Sequence, residues 1–179
     1  ASANGAATDI TAGSAITSNR WQTTNFGGYL IMVNGTDTGR TLTGSTVADQ
    51  TFTGPTLSTL AHVMGFKGRL YFVQANSQTY WYGGVGAITG ALTSVDLSTI
   101  FRFGGYLQAI FTWPRETYSG PLETACFLSS LGELLVYTGD YPGAANWGLT
   151  ARYRIAPPIG RRCFANLGGD VAVITQLGL

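Results

Sequence analysis

From Trp21 onward the chain alternates short apolar runs with turns of Gly, Asn and Ser, and this alternation limits what it can fold into. Apolar runs of about four to eight residues bounded by turn residues mark buried β-strands. Four times a run, a turn and a second run follow one another. GYLIMVN (28–34) leads through Gly35-Thr36-Asp37 to RTLT (40–43), and RLYFVQ (69–74) leads through ANSQ (75–78) to TYWY (79–82). TACFL (124–128) leads through SSLG (129–132) to ELLVYT (133–138), and RCFA (162–165) leads through NLGG (166–169) to DVAVIT (170–175). Three of these turns contain Gly, which supplies the positive φ of tight hairpins. Residues 55–66 (PTLSTLAHVMGF) hold the best helical spacing, with Leu57, Leu60, Ala61 and Met64 on one face; a strand or loop fits the segment equally.

The hairpins recur at a larger period. Phe26-Gly27-Gly28-Tyr29-Leu30 returns 77 residues on as Phe103-Gly104-Gly105-Tyr106-Leu107, with Gly68-Arg69-Leu70-Tyr71-Phe72 midway. A four-stranded propeller blade takes roughly 40–45 residues, so the expected fold is an all-β propeller or partial propeller of antiparallel hairpin modules. A β-sandwich with Greek-key connections has similar strand spacing and is the alternative. The expected domain covers residues 21–179, preceded by a flexible arm over residues 1–20 that is mostly Ala, Ser, Thr, Gly and Asn and has little apolar mass to bury. The last strand ends without the turn and partner strand that the pattern calls for, which points to a segment of a longer chain.

Only 11% of the 179 residues are charged, against about 25% in an ordinary soluble domain, so the surface has the composition of one that faces other protein. The net charge of +1 gives no global attraction to nucleic acid or to an anionic membrane, and no apolar run is long enough for a membrane-spanning helix. Nine Arg accompany a single Lys, Lys67, and Arg is the cation of interfaces and phosphate contacts. The densest pair, Arg161-Arg162, is the candidate for an interface or for the lining of a channel. Cys126 and Cys163 each precede a Phe and are expected as buried thiols.

No catalytic constellation emerges, and the expectation is that the chain is not an enzyme and uses no cofactor or metal. The one histidine, His62, sits among apolar residues and nearly excludes a His-based metal site or triad. The nine carboxylates are scattered, and Asp37 and Asp140 lie in Gly-containing turns where Asp bonds its own backbone. Trp81 and Trp147 are candidate stacking residues for a sugar, although aromatic rings equally fill β cores and subunit contacts.

Two stretches carry a resemblance. RLYFVQANSQTYWY (69–82) with GALTSVDLS (90–98), and GELLVYTGDYP (132–142) with Trp147, Tyr153-Arg154-Ile155 and Pro158-Ile159-Gly160-Arg161-Arg162, resemble virion proteins of tailed bacteriophages and prophages. The class is that of the tail nozzle, or packaged-DNA stabilisation protein, of short-tailed phages. The resemblance implies a β-propeller subunit in a homo-oligomeric ring of the virion tail, assembled in the host cytoplasm. It implies contact with a tail adaptor or portal-side protein, and non-specific contact with DNA that the ring retains and then conducts. The alternative function is a carbohydrate-binding or glycan-cleaving β-propeller that recognises a host surface.

Overall fold

A computed structural model describes residues 13–117 and 120–179, with the backbone alone at 115–117 and 120–121. The fold is all-β, and its sole helical element among the described residues is one 3-10 turn, Leu57–Thr59. The first sheet is an antiparallel meander of β1 (Gln22–Phe26), β2 (Tyr29–Val33), β3 (Arg40–Thr43) and β4 (Thr46–Asp49). After the short β5 (Phe52–Thr53) comes a second sheet of β6 (Leu60–Phe66), β7 (Arg69–Gln74) and β8 (Thr79–Tyr82). There β9 (Gly90–Ala91) pairs in parallel with β5, and β10 (Thr93–Asp96) completes the second sheet beside β8. The third sheet is a meander of β11 (Leu107–Thr117), β12 (Gly120–Ser129), β13 (Glu133–Thr138) and β14 (Gly148–Arg154). A terminal hairpin follows, β15 (Phe164–Leu167) with β16 (Asp170–Val173).

All four expected hairpins form, as β2–β3, β7–β8, β12–β13 and β15–β16. In the last, the turn narrows to Gly168-Gly169, because Asn166 and Leu167 belong to β15. The helical option over residues 55–66 gives way to β6, whose side chains are buried to both sides. One expected repeat is corrected. Phe26 to Tyr29 closes a two-residue turn in which Gly27 and Gly28 both have positive φ, at 57° and 82°. Its counterpart in the second sheet is Lys67-Gly68, again with positive φ at both residues (46° and 67°). Phe103-Gly104-Gly105-Tyr106 is irregular chain that leads into β11, so its likeness to 26–29 is one of letters only.

Successive sheets pack face to face. Along β7, Leu70 and Phe72 meet Ile31 and Val33 of the first sheet, while Tyr71 and Val73 turn to Phe127, Leu135 and Ile110 of the third. In the third sheet Phe127, Leu135 and Tyr137 face the second sheet, and Cys126, Leu134 and Val136 face the terminal hairpin. Adjacent strand residues point to opposite faces, so a sheet covered on both sides needs apolar residues at every position. The first strands lie together: β1 against β6, and β6 against β11, with the hairpin's β16 beside β11. They border a cavity of about 240 Å³ whose lining includes Thr24, His62, Phe111 and Phe164. Three four-stranded antiparallel sheets and a two-stranded hairpin thus stack in sequence order, an all-β arrangement that fits both the partial propeller and the sandwich alternative.

Polar side chains fasten the loops. Asp37 accepts hydrogen bonds from the backbone and hydroxyl of Thr17, from Ser18 N and from Asn34 Nδ2. The turn bonds expected of Asp37 are made by Asn34 instead, whose Oδ1 accepts from the backbone of Thr36 and Asp37. Residues 14–18 of the expected arm are therefore tied to the first sheet, where Ser14 also donates to Asp49; residues 1–12 lie outside the described chain. Glu133 is fully buried on β13 and accepts from the backbone of Arg102 and Phe103 and from the Arg152 guanidinium, which also donates to Ile100 O. Removing one partner of a buried ion pair strands the other's charge.

Glu133→Ala is expected to lower unfolding free energy by about 3 kcal/mol in urea titration, and to speed amide exchange across residues 100–103. The hydrogen bonds from Thr17, first its hydroxyl, hold the Asp37 carboxyl well below the usual carboxylate range. A depressed carboxylate pKa adds stability above its unfolded value near 4 that is lost as pH falls below it. Asp37→Asn is therefore expected to lower Tm at neutral pH and to flatten the acid limb of a Tm-against-pH curve.

Candidate functional site

An apolar groove of about 530 Å³ opens between the outer face of the third sheet and the terminal hairpin. Phe111, Trp113 and Leu134 form its floor and Tyr153, Val171 and Val173 its sides. Trp113 is held in place by a hydrogen bond from its Nε1 to Gly169 O at 2.9 Å. Leu179, which lines the groove, is 90% exposed, and the hairpin and last segment also leave Leu167 (62%) and Leu177 (89%) in solvent. Tyr153, half exposed on β14, tilts over Trp113 with ring centroids 6.5 Å apart. Among the described residues the one charged side chain that lines the groove is Arg154, whose guanidinium lies over the Phe103 ring at 3.9 Å.

Arg161 and Arg162 stand at the opposite margin of the hairpin and join the last segment to the first sheet. Arg161 Nη1 donates to Asn34 O at 2.8 Å and to Ala61 O at 3.2 Å, bridging the β2–β3 loop to β6. Arg162 Nη2 donates to Trp21 O, just ahead of β1. Half-burial, and then the charge of Arg20, lower the proton affinity of the Arg161 guanidinium. The pair that the sequence singled out as a contact or channel residue thus makes contacts within its own chain.

Trp81 and Trp147 are half-buried and packed against the core. Trp147 stacks on Tyr137 at 5.3 Å and meets Phe66 edge-on, and Trp81 donates from Nε1 to Gln74 Oε1 at 2.9 Å. Neither lines the groove. A sugar-binding reading asked for one of them exposed in a concave site; the aromatic pair that borders a concavity is Trp113 with Tyr153.

His62, on β6, is buried beside Phe164 at 5.8 Å, and its Nδ1 has no hydrogen-bond partner among the described residues. Burial, with the charge of Arg161 second, pushes its pKa from 6.5 down to about 4. Both cysteines are buried thiols, and burial raises the Cys163 thiol. Among the described residues no three His, Cys, Asp or Glu side chains gather as metal ligands do, and no helix is long and apolar enough to cross a membrane.

No family model and no curated protein matches the chain.

The groove was missed in the sequence because its walls come from β11, β13, β14 and β16, which are distant along the chain. One sign was present: the apolar parity of DVAVIT continues past the single turn that pairs it, so one face of that strand lacks a sequential partner.

A histidine depressed on folding takes up its proton on unfolding, so stability is full above its unfolded pKa and falls as pH drops toward the folded one. Between about pH 6.5 and pH 4 the wild type is expected to lose about 3 kcal/mol of unfolding free energy. His62→Gln removes that slope, as chemical denaturation across the window will read.

Proposed function

We propose that the chain is a structural subunit of a bacteriophage tail, working by assembly into a ring with copies of itself rather than by catalysis. The observation that carries this reading is the apolar groove lined in part by the exposed Leu179, on a hairpin and last segment that also expose Leu167 and Leu177. Contiguous exposed apolar surface marks a protein contact. A groove and a projecting apolar segment at neighbouring positions on one molecule suit a head-to-tail contact, which closes into a ring when the rotation permits. The charged fraction of 11% supports the same conclusion, since low-charge surfaces associate readily. The resemblance of residues 69–98 and 132–162 to tail-nozzle proteins supplies the setting: a virion tail ring that retains and conducts DNA and meets an adaptor or portal-side protein.

Mass photometry and light scattering test the assembly directly. The wild type is expected as a discrete oligomer, and the double variant Leu167→Glu, Leu177→Glu as a monomer with an unchanged circular dichroism spectrum. A wild type that stays monomeric at micromolar concentration, or a variant that assembles as before, would overturn the groove as the joint. A ring of this chain in micrographs of virion tails is the matching expectation for its setting.

A further inference from the structure

A different feature lies at the seam where the last segment meets the first sheet. Arg20, Arg161 and Arg162 border one cleft of about 380 Å³, together with Asn19 and Gln22. Arg20 and Arg161 also face a second, adjoining cavity of about 210 Å³ near Tyr106 and Gln108. Three cations thus converge from opposite ends of the sequence, yet none meets a carboxylate among the described residues. The ion pairs formed there lie elsewhere, at Arg40–Asp49 and Arg152–Glu133.

Their donors are only partly used. A guanidinium carries five N–H donors. Arg161 directs Nη1 to Asn34 O and Ala61 O, and Arg162 directs Nη2 to Trp21 O. These backbone bonds anchor the two groups, while the exposed Arg20 side chain makes no hydrogen bond among the described residues. Like charges held close, one of them half-buried, repel, and the cost disappears when an anion sits between them. The planar guanidinium fork matches the oxygens of phosphate bidentately, and a phosphate group at neutral pH brings up to about two negative charges.

We propose that this cleft is an oxyanion site, in which Arg161 and Arg162, fixed by their backbone bonds, and the free Arg20 hold a phosphate group. The phosphate comes either free in solution or in a nucleic-acid backbone, and the contact chemistry is shared. The site is built within one chain, so it stands whether or not the chain assembles.

Thermal unfolding in inorganic phosphate, with ionic strength held constant by sodium chloride, is the first arm. A saturable rise of about 3 °C at ten times Kd is expected. Arg20→Gln leaves the anchoring bonds intact; it is expected to keep or raise the Tm without phosphate and to weaken phosphate binding at least tenfold. Line broadening of the phosphorus resonance gives a second reading that does not depend on melting. No response beyond that of chloride, or the same response in Arg20→Gln, would overturn the site. In the second arm a short fluorescein-labelled DNA strand is titrated by anisotropy. Binding that phosphate displaces and Arg20→Gln weakens assigns the site to backbone phosphate; phosphate binding without DNA binding assigns it to a free group. DNA that binds wild type and Arg20→Gln equally, with no competition by phosphate, would place the nucleic-acid contact outside the cleft and overturn that source.

Discussion

The burial of both faces of the second and third sheets is the constraint on which the rest of the structure depends. β7 alternates Leu70 and Phe72 toward one neighbour with Tyr71 and Val73 toward the other, and β12 and β13 repeat the arrangement. A sheet of this kind has no solvent face, so neither sheet is stable without its neighbours. Burying a large apolar side chain contributes about 1.5–3 kcal/mol, and these side chains lie between layers rather than within them. Cohesion therefore runs across the stack. The aromatic contacts follow the same direction, as when Tyr80 of the second sheet meets Phe127 of the third at 4.6 Å.

Within that stack, charged groups act on the connections. Asp37 draws residues 17–18 onto the first sheet, Glu133 holds the chain between the second and third sheets, and Arg161 ties the last segment to the loop after β2 and to β6. Each of these residues fixes a loop through its backbone: Glu133 holds Arg102 and Phe103 beside the buried Leu97 and Phe101, and Asp37 and Arg161 hold polar segments. A chain with few charges has placed several on its connections, which is why single substitutions at Asp37 or Glu133 act on loop order before they act on the sheets.

Local patterning made the strands legible. Hairpin turns such as Gly27-Gly28 are written in adjacent residues, and runs such as RLYFVQ and ELLVYT announce burial on both faces. The 3.6-residue spacing within PTLSTLAHVMGF was overridden by tertiary burial of β6, and repetition of Phe-Gly-Gly-Tyr-Leu misled because a Gly pair serves a tight turn at 27–28 and an irregular lead at 104–105. The candidate surfaces were less legible. Arg161 and Arg162 stood out as a pair, but their contacts with Asn34 O, Ala61 O and Trp21 O join positions 100 to 141 residues apart, which no local pattern encodes. The Trp113–Tyr153 groove belongs to the same class, since four strands must be placed before it exists.

The fastening of Trp21 by Arg162 also shapes the route into the fold. Each meander closes through neighbours in sequence, so the three sheets form from local contacts. The arginine seam spans nearly the whole described chain, and long loops must be closed before such contacts contribute. Joining the ends is thus the contact of high sequence separation that is expected to form after the local pairings. Contacts absent from the transition state act mainly on the unfolding rate, so the seam sets how long the assembled stack persists more than how quickly its sheets appear.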